Sequence, residues 1–201
     1  MKPYLLWGSG MGAALLIGAL WWGYDYWAVP SPLSDKKVWQ ELQAYPIYTP
    51  DYQPAPIASL EGKVVLLDFV YTRCASVCPR LQSRLRQTLQ ALPSSEKLVA
   101  ISISLDPERD TPEQIQAHLM SYGVPEHTWY FWRPQTQRWA IQAAEQIFGL
   151  TAATLSSEEI LHSDAILLID CSGRIRGVYR SEDERLLSHT RKLLRLCDTP
   201  S

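Results

Sequence analysis

Along the chain, apolar and polar positions fall into three regimes. Leu5 to Trp22 carries no charge and is apolar almost throughout, with glycines at 8, 10, 12 and 18. About 20 apolar residues span a bilayer core, so this stretch predicts one membrane-crossing helix. Trp7 stands near one end and Trp21, Trp22, Tyr24, Tyr26 and Trp27 near the other, as interfacial aromatic belts do. Residues 29–57 then lose periodicity and hold Pro30, Pro32, Pro46, Pro50, Pro54 and Pro56. That density predicts an extended spacer, with a short helical turn at Val38 to Ala44.

From residue 58 the pattern turns into alternating strands and helices. Lys63 to Tyr71 (KVVLLDFVY) is a continuous apolar run that suits a central buried strand. Pro79 to Leu92 predicts a helix with Leu81, Leu85, Leu89 and Leu92 on one face. Leu98 to Leu105 predicts a second buried strand. Thr111 then caps a helix that stops near Gly123. Trp129 to Trp132 reads as a short strand, and Gln135 to Phe148 as a helix with Trp139, Ala143 and Ile147 on its stripe. Ala165 to Asp170 (AILLID) reads as a strand that turns at Cys171 to Gly173 and pairs back through Arg174 to Tyr179. Ser181 and Glu184 form a capping-box pattern before a last helix through Leu196. Together these predict an α/β layered sheet, thioredoxin-like in order, behind an N-terminal transmembrane helix. The organisation is a membrane anchor over 1–28, a Pro-rich linker over 29–57 and a folded domain over 58–201.

Composition narrows the function classes. Among 201 residues, Lys+Arg number 19 and Asp+Glu 21, and the resulting net charge of -2 argues against a partner bound through phosphate contacts, so no nucleic acid is expected. Four cysteines are too few for a disulfide scaffold of this length. The apolar run is either a cleaved signal peptide or an uncleaved anchor, and the lack of an A-x-A site after it favours the anchor; with only Lys2 upstream this puts the domain across the membrane, where cysteines can be oxidised. The N-terminus lacks an Arg/Ser-rich amphipathic stretch, which favours a bacterial inner membrane with the domain in the periplasm.

The chemistry concentrates in Tyr71-Thr-Arg-Cys74-Ala-Ser-Val-Cys78-Pro79, between a buried strand and a helix. Cys78 falls at the helix N-terminus, where the dipole favours a thiolate. The pair can close as a redox-active disulfide, or two thiolates can hold a soft ion with a third ligand. His162, just before the AILLID strand, is the candidate third ligand, with Asp164 or Asp106 as candidates to orient its ring. A sulfur, sulfur, nitrogen set suits Cu(I), and Cu(II) can also be held. His118, His127 and His189 fit exposed positions and are given no role. Cys171 and Cys197 are left open as a possible disulfide. Arg185, Arg191, Lys192 and Arg195 read as a solvated face.

Three motifs carry a resemblance: GKVVLLDFVYTRCASVCP, SISLDPERDTP, and HSDAILLID with its following SGRIRGVY. Over roughly Gly62 to Tyr179 the chain resembles the Sco/SenC family of membrane-anchored copper proteins that assist cytochrome c oxidase assembly. The resemblance implies a thioredoxin-like fold, copper as the bound ion and Cys74, Cys78 and His162 as its ligands. It also implies subunit two of the oxidase as target and a separate copper donor. Leu161 stands where many members have an acidic residue before the ligand histidine. The competing expectation is a thiol–disulfide reductase acting on oxidase cysteines, with His162 dispensable; a peroxide-reducing role ranks behind both. The DPERDTP box is expected to shape the loop beside the site, with Asp106 bonding backbone groups.

Overall fold

The structure, a computed structural model, describes residues 30–123, 128–154 and 160–198. The apolar stretch Leu5 to Trp22 lies outside them, as does His127; no helix among the described residues is long and apolar enough to cross a membrane.

In chain order the elements are α1 (Val38–Leu42), β1 (Ile47–Tyr48), a 3-10 turn (Ile57–Leu60), β2 (Val64–Val70), α2 (Cys78–Gln90), β3 (Leu98–Ser104), α3 (Pro112–Tyr122) and β4 (Trp129–Pro134). Then come α4 (Gln137–Gln146), β5 (Ala152–Thr154), β6 (Ile160–His162), β7 (Ile166–Ile169), β8 (Ile175–Tyr179) and α5 (Arg185–Asp198). Six strands form one mixed sheet in the order β1-β4-β3-β2-β7-β8, and β5 pairs with β6 in a separate ribbon. This is the thioredoxin-like α/β arrangement expected from the alternation of strands and helices.

The central strands are those with unbroken apolar runs. Every residue of β2 and β3 is buried, as strands covered on both faces require. β2 runs parallel to β3, and β7 runs antiparallel to β2 with Ile166 opposite Asp68 and Ile169 opposite Val65. This register decides where the chemistry meets. The start of β7 lies beside the C-terminal end of β2, so the residues just before β7 share an end of the sheet with the loop after β2. The 170–174 turn lies at the opposite end.

Local signals set the helix ends. Thr111 and Gln114 form a reciprocal capping box at α3, and Gly123 ends it with φ 58, a left-handed conformation that glycine adopts freely. The core face of α4 differs from the expected stripe. Ala140, Ala143 and Ala144 face inward, because small side chains let the helix lie close to the sheet, while Trp139 turns edge-on to Tyr45 with ring centroids 5.5 Å apart. At α5, Ser181 does not cap the helix; its hydroxyl donates to Asp164, and the Asp183 carboxylate takes the N–H of Arg185.

The segment expected to be a spacer packs on the domain from residue 30 onward. Leu33 and Val38 donate backbone N–H groups to Ile175 and Gly173, and Val38, Trp39, Leu42 and Ile47 enter the core. Trp39 lies directly over Gly173, where a Cβ would come within 2.7 Å of its ring. Proline content hid this. Pro54 and Pro56 shape the bridge to Tyr48 and the start of the 3-10 turn, while the anchoring apolar residues between the prolines follow no period. The two cysteines left open are joined: a Cys171–Cys197 disulfide, with Cα atoms 6.1 Å apart, ties the 170–174 turn to α5.

Candidate metal centre

At the C-terminal end of β2 the chain leaves the sheet through Tyr71 to Val77 and re-enters as α2. Cys74 is held inside that loop, its N–H bonded to the Tyr71 carbonyl, and Cys78 is the first residue of the helix. From the other side, β6 delivers His162, paired opposite Ala152. Its Nε2 lies 3.2 Å from Cys78 Sγ and 3.9 Å from Cys74 Sγ. The three donor atoms all fall within 4.8 Å of one another, the one such cluster among the described residues. Three donors at bond lengths of about 2.0–2.3 Å around one ion stand about 3.5–4 Å apart, so this spacing fits a three-coordinate ion.

The imidazole is oriented by different groups from those expected. Its Nδ1 sits 3.2 Å from the Ser163 carbonyl oxygen. A carbonyl only accepts, so this bond puts the proton on Nδ1 and turns the Nε2 lone pair toward the sulfurs. Tyr71 packs edge-on to the ring at 5.9 Å. Neither carboxylate proposed for the task fills it: Asp106 pairs with Arg73, and Asp164 accepts from Ser181.

The sulfurs divide one proton between them. Cys74 is held well below the usual thiol range, first because the Cys78 thiol donates to it, with further bonds from the backbone N–H groups of Cys78 and Ser76. Cys78 is pushed upward by that same bond, by burial and by the Cys74 charge. The sequence placed the stabilised thiolate at Cys78, at the helix terminus. In the folded chain Cys74 curls back toward that terminus and receives the N–H of Cys78 together with that of Ser76 in the loop. Beside them the Tyr71 phenol is pushed up to about 12 by burial and by the thiolate.

Two supports lie beneath the site. Asp110 is fully buried; its carboxylate accepts the Thr72 N–H at 3.0 Å, the Thr72 hydroxyl at 2.7 Å and the Ser104 hydroxyl. The loop-shaping role of the DPERDTP box thus belongs to Asp110 for the backbone, while Asp106 clamps the Arg73 guanidinium at 3.0 Å. The second support is Asp68, in the middle of β2. Ser102 donates to it at 2.6 Å and Gln82 at 2.8 Å, and Gln82 in turn meets His118 at 3.0 Å. Gln82 lies one helical turn after Cys78, so this network runs directly under the sulfurs. His118 is half-buried within it, and His189 is buried against the Tyr179 hydroxyl at 2.7 Å; neither is the exposed side chain expected. The available signal was a lone carboxylate inside an apolar strand.

Burial pushes Asp68 up to about 6, against the lowering effects of Ser102, Gln82 and His162. The unfolded chain ionises near 3.8. Between those values the folded state binds the extra proton, so Asp68 makes the protein less stable as pH rises through the window, and the effect levels off above it. Lowering pH from 7 to 5 should recover about 1–2 kcal/mol from this group. Burial lowers the pKa of His118, which works in the opposite direction. The difference between wild type and Asp68→Asn therefore carries the test. Chemical denaturation at both pH values should show that gain missing from the variant, and equal pH dependence in the two proteins would refute the assignment.

The SCO1/SenC family model matches residues 42–195. A SCO1 protein homolog of Bacillus subtilis is 24% identical over 141 residues, covering 69% of this chain and 73% of the homolog. Among solved structures, BsSco, described as a member of the Sco family of cytochrome c oxidase assembly proteins, superposes with a TM-score of 0.66 at 21% identity, covering 84% of this chain and 98% of that one. Bradyrhizobium japonicum ScoI, solved with copper bound, gives 0.60 at 23% identity over 84% and 99% of the two chains. At these identities the structural matches speak for the fold.

Proposed function

The chain belongs to the SCO1/SenC family, and from that premise we propose that it is a copper-binding assembly factor for the copper site of cytochrome c oxidase. Cys74 and Cys78 would supply two sulfurs and His162 Nε2 the third donor. The observation that carries this reading is their convergence within 4.8 Å on one end of the sheet, with the ring nitrogen already turned toward the sulfurs. The chemistry of the set points the same way. Two thiolates and one imidazole are a soft, low-coordinate combination that favours Cu(I) and tolerates Cu(II), whereas a closed structural zinc site asks for a fourth ligand.

In this role the chain takes copper from a donor protein and passes it by ligand exchange to subunit two of the oxidase. The apolar stretch Leu5 to Trp22 anchors it in the bacterial inner membrane, and the folded domain stands in the periplasm. The closed Cys171–Cys197 pair supports an oxidising compartment. Loading requires Cys74 and Cys78 as thiols, so their redox state gates uptake. Anaerobic Cu(I) titration of the full chain against a competing chelator tests this. One copper per chain is expected for the reduced protein and none once Cys74 and Cys78 are joined; equal uptake by both forms would defeat the proposal.

A second reading has one observation in its favour. Cys74 is held as a thiolate beside the Cys78 thiol, the arrangement a thiol–disulfide reductase uses. There the two thiols would close to a disulfide while a target disulfide takes their two electrons and two protons. His162 separates the readings, as argued below.

A further inference from the structure

Beside the candidate metal centre a groove of about 420 Å³ runs along α2. One wall is Pro79, Arg80, Ser83, Arg84 and Gln87, a single face of the helix beginning one residue after Cys78; the other is Ser181 and Glu182, in the connection from β8 to α5. That second wall is tied to the other ligand, because the Ser181 hydroxyl donates to Asp164, two residues beyond His162. Anything lying in the groove therefore rests against both segments that carry the donors.

The groove is basic in a chain whose net charge is -2. Arg80 and Arg84 line it, and Arg180, the residue before Ser181, is exposed. None of the three forms an ion pair among the described residues, although Arg73, Arg109, Arg174, Arg176 and Arg185 all do. Arg84 is half-buried and its Nε is enclosed without an acceptor. Glu182 on the facing wall pairs with neither Arg80 nor Arg84. Cationic forks left unpaired in a concave site are suited to carboxylates, which guanidinium groups bind in two-point geometry. From Pro79 to Gln87 the helix rises about 12 Å, the length of three or four extended residues.

We propose that this groove is the docking site for an acidic, extended segment of the protein that exchanges metal with this chain. The proposal rests on the copper-handling role above. It adds where the partner sits and what chemistry it presents: two or more carboxylates spaced along an extended strand of chain, laid against α2 beside Cys78. Such a contact steers association through charge and fixes the approach to the sulfurs, and it weakens as salt rises.

The probe is a fluorescein-labelled decapeptide of alternating Asp and Glu, with its Asn/Gln counterpart as reference. Binding is read by anisotropy against the full chain in a non-ionic detergent, with and without Cu(I). The acidic peptide should bind and the neutral one should not, with affinity falling as NaCl is raised. R80E/R84E should weaken binding about tenfold or more, R80Q/R84Q by less, and R191E/R195E on the solvated face of α5 by less than about twofold. Thermal melts of each variant identify any that fail to fold, and the glutamine pair, which adds no repulsion, then carries the comparison. Equal loss in the R80E/R84E and R191E/R195E proteins, or equal binding of both peptides, would overturn the proposal. So would a single-stranded oligonucleotide of matching charge binding as tightly through the same arginines. Copper uptake by the wild-type chain is measured separately, so its absence would sink the metal reading while the peptide result stands on its own.

Discussion

His162→Ala should lower the affinity of the reduced chain for Cu(I) by about a hundredfold or more, because loss of an outer partner alone costs ten- to a hundredfold and this residue supplies a donor atom. Cys78→Ser should cost more, about a thousandfold or beyond. A serine hydroxyl stays protonated at neutral pH and offers a hard oxygen where a soft sulfur stood. Cys74→Ser should match it, since each sulfur closes the same three-donor set. The variants also decide between the two readings. A reductase works through the sulfurs alone, so His162→Ala would leave disulfide reduction within about twofold while both serine variants abolish it. An assembly factor loses copper in all three. Chelator competition and a disulfide-reduction assay on the same preparations give the answer. Wild-type copper affinity in His162→Ala would remove the imidazole from the site and with it the case for copper handling.

That His162 would meet the cysteines was legible from the expected thioredoxin-like order, in which the segment before the AILLID strand lies beside the dithiol loop. Antiparallel pairing of β2 and β7 brings the loop and the histidine to one end. What supports the site was not legible in the same way. Asp68 draws its donors from Ser102, 34 residues on, and from Gln82 on a different element. Nothing in the local pattern links them. The stabilised thiolate was misplaced for a related reason: helix-terminus arguments address the residue in the helix, and it took the fold of the loop to bring Cys74 to the N–H groups of Cys78 and Ser76. Trp39 escaped notice because prolines dominate its neighbourhood, although its contact with Gly173 secures the start of the domain.

The second large effect concerns stability. Replacing both Cys171 and Cys197 with serine should destabilise the folded chain by about 3.5 kcal/mol, the loop-entropy value for a closure of this length, given a separation of 26 residues. For a protein of this size that is a fall in Tm on the order of 10 °C. The turn carrying Cys171 is a meeting point: Gly62 donates to the Cys171 carbonyl, Val38 to the Gly173 carbonyl, and Trp39 covers Gly173. Freeing α5 from it loosens the chain where its N-terminal strap and C-terminal helix are both fastened. The metal centre lies at the other end of β2, whose seven residues span about 20 Å. Effects at that separation add independently, so the double variant should keep wild-type copper stoichiometry and affinity at temperatures where it remains folded. An unchanged melting temperature would show that the bridge contributes nothing to the fold. Copper loss in the folded variant would show that the two ends of the sheet are coupled. The expected pattern, lower Tm with intact copper binding, is the reverse of that expected for Cys78→Ser, and the contrast assigns one cysteine pair to holding the chain together and the other to chemistry.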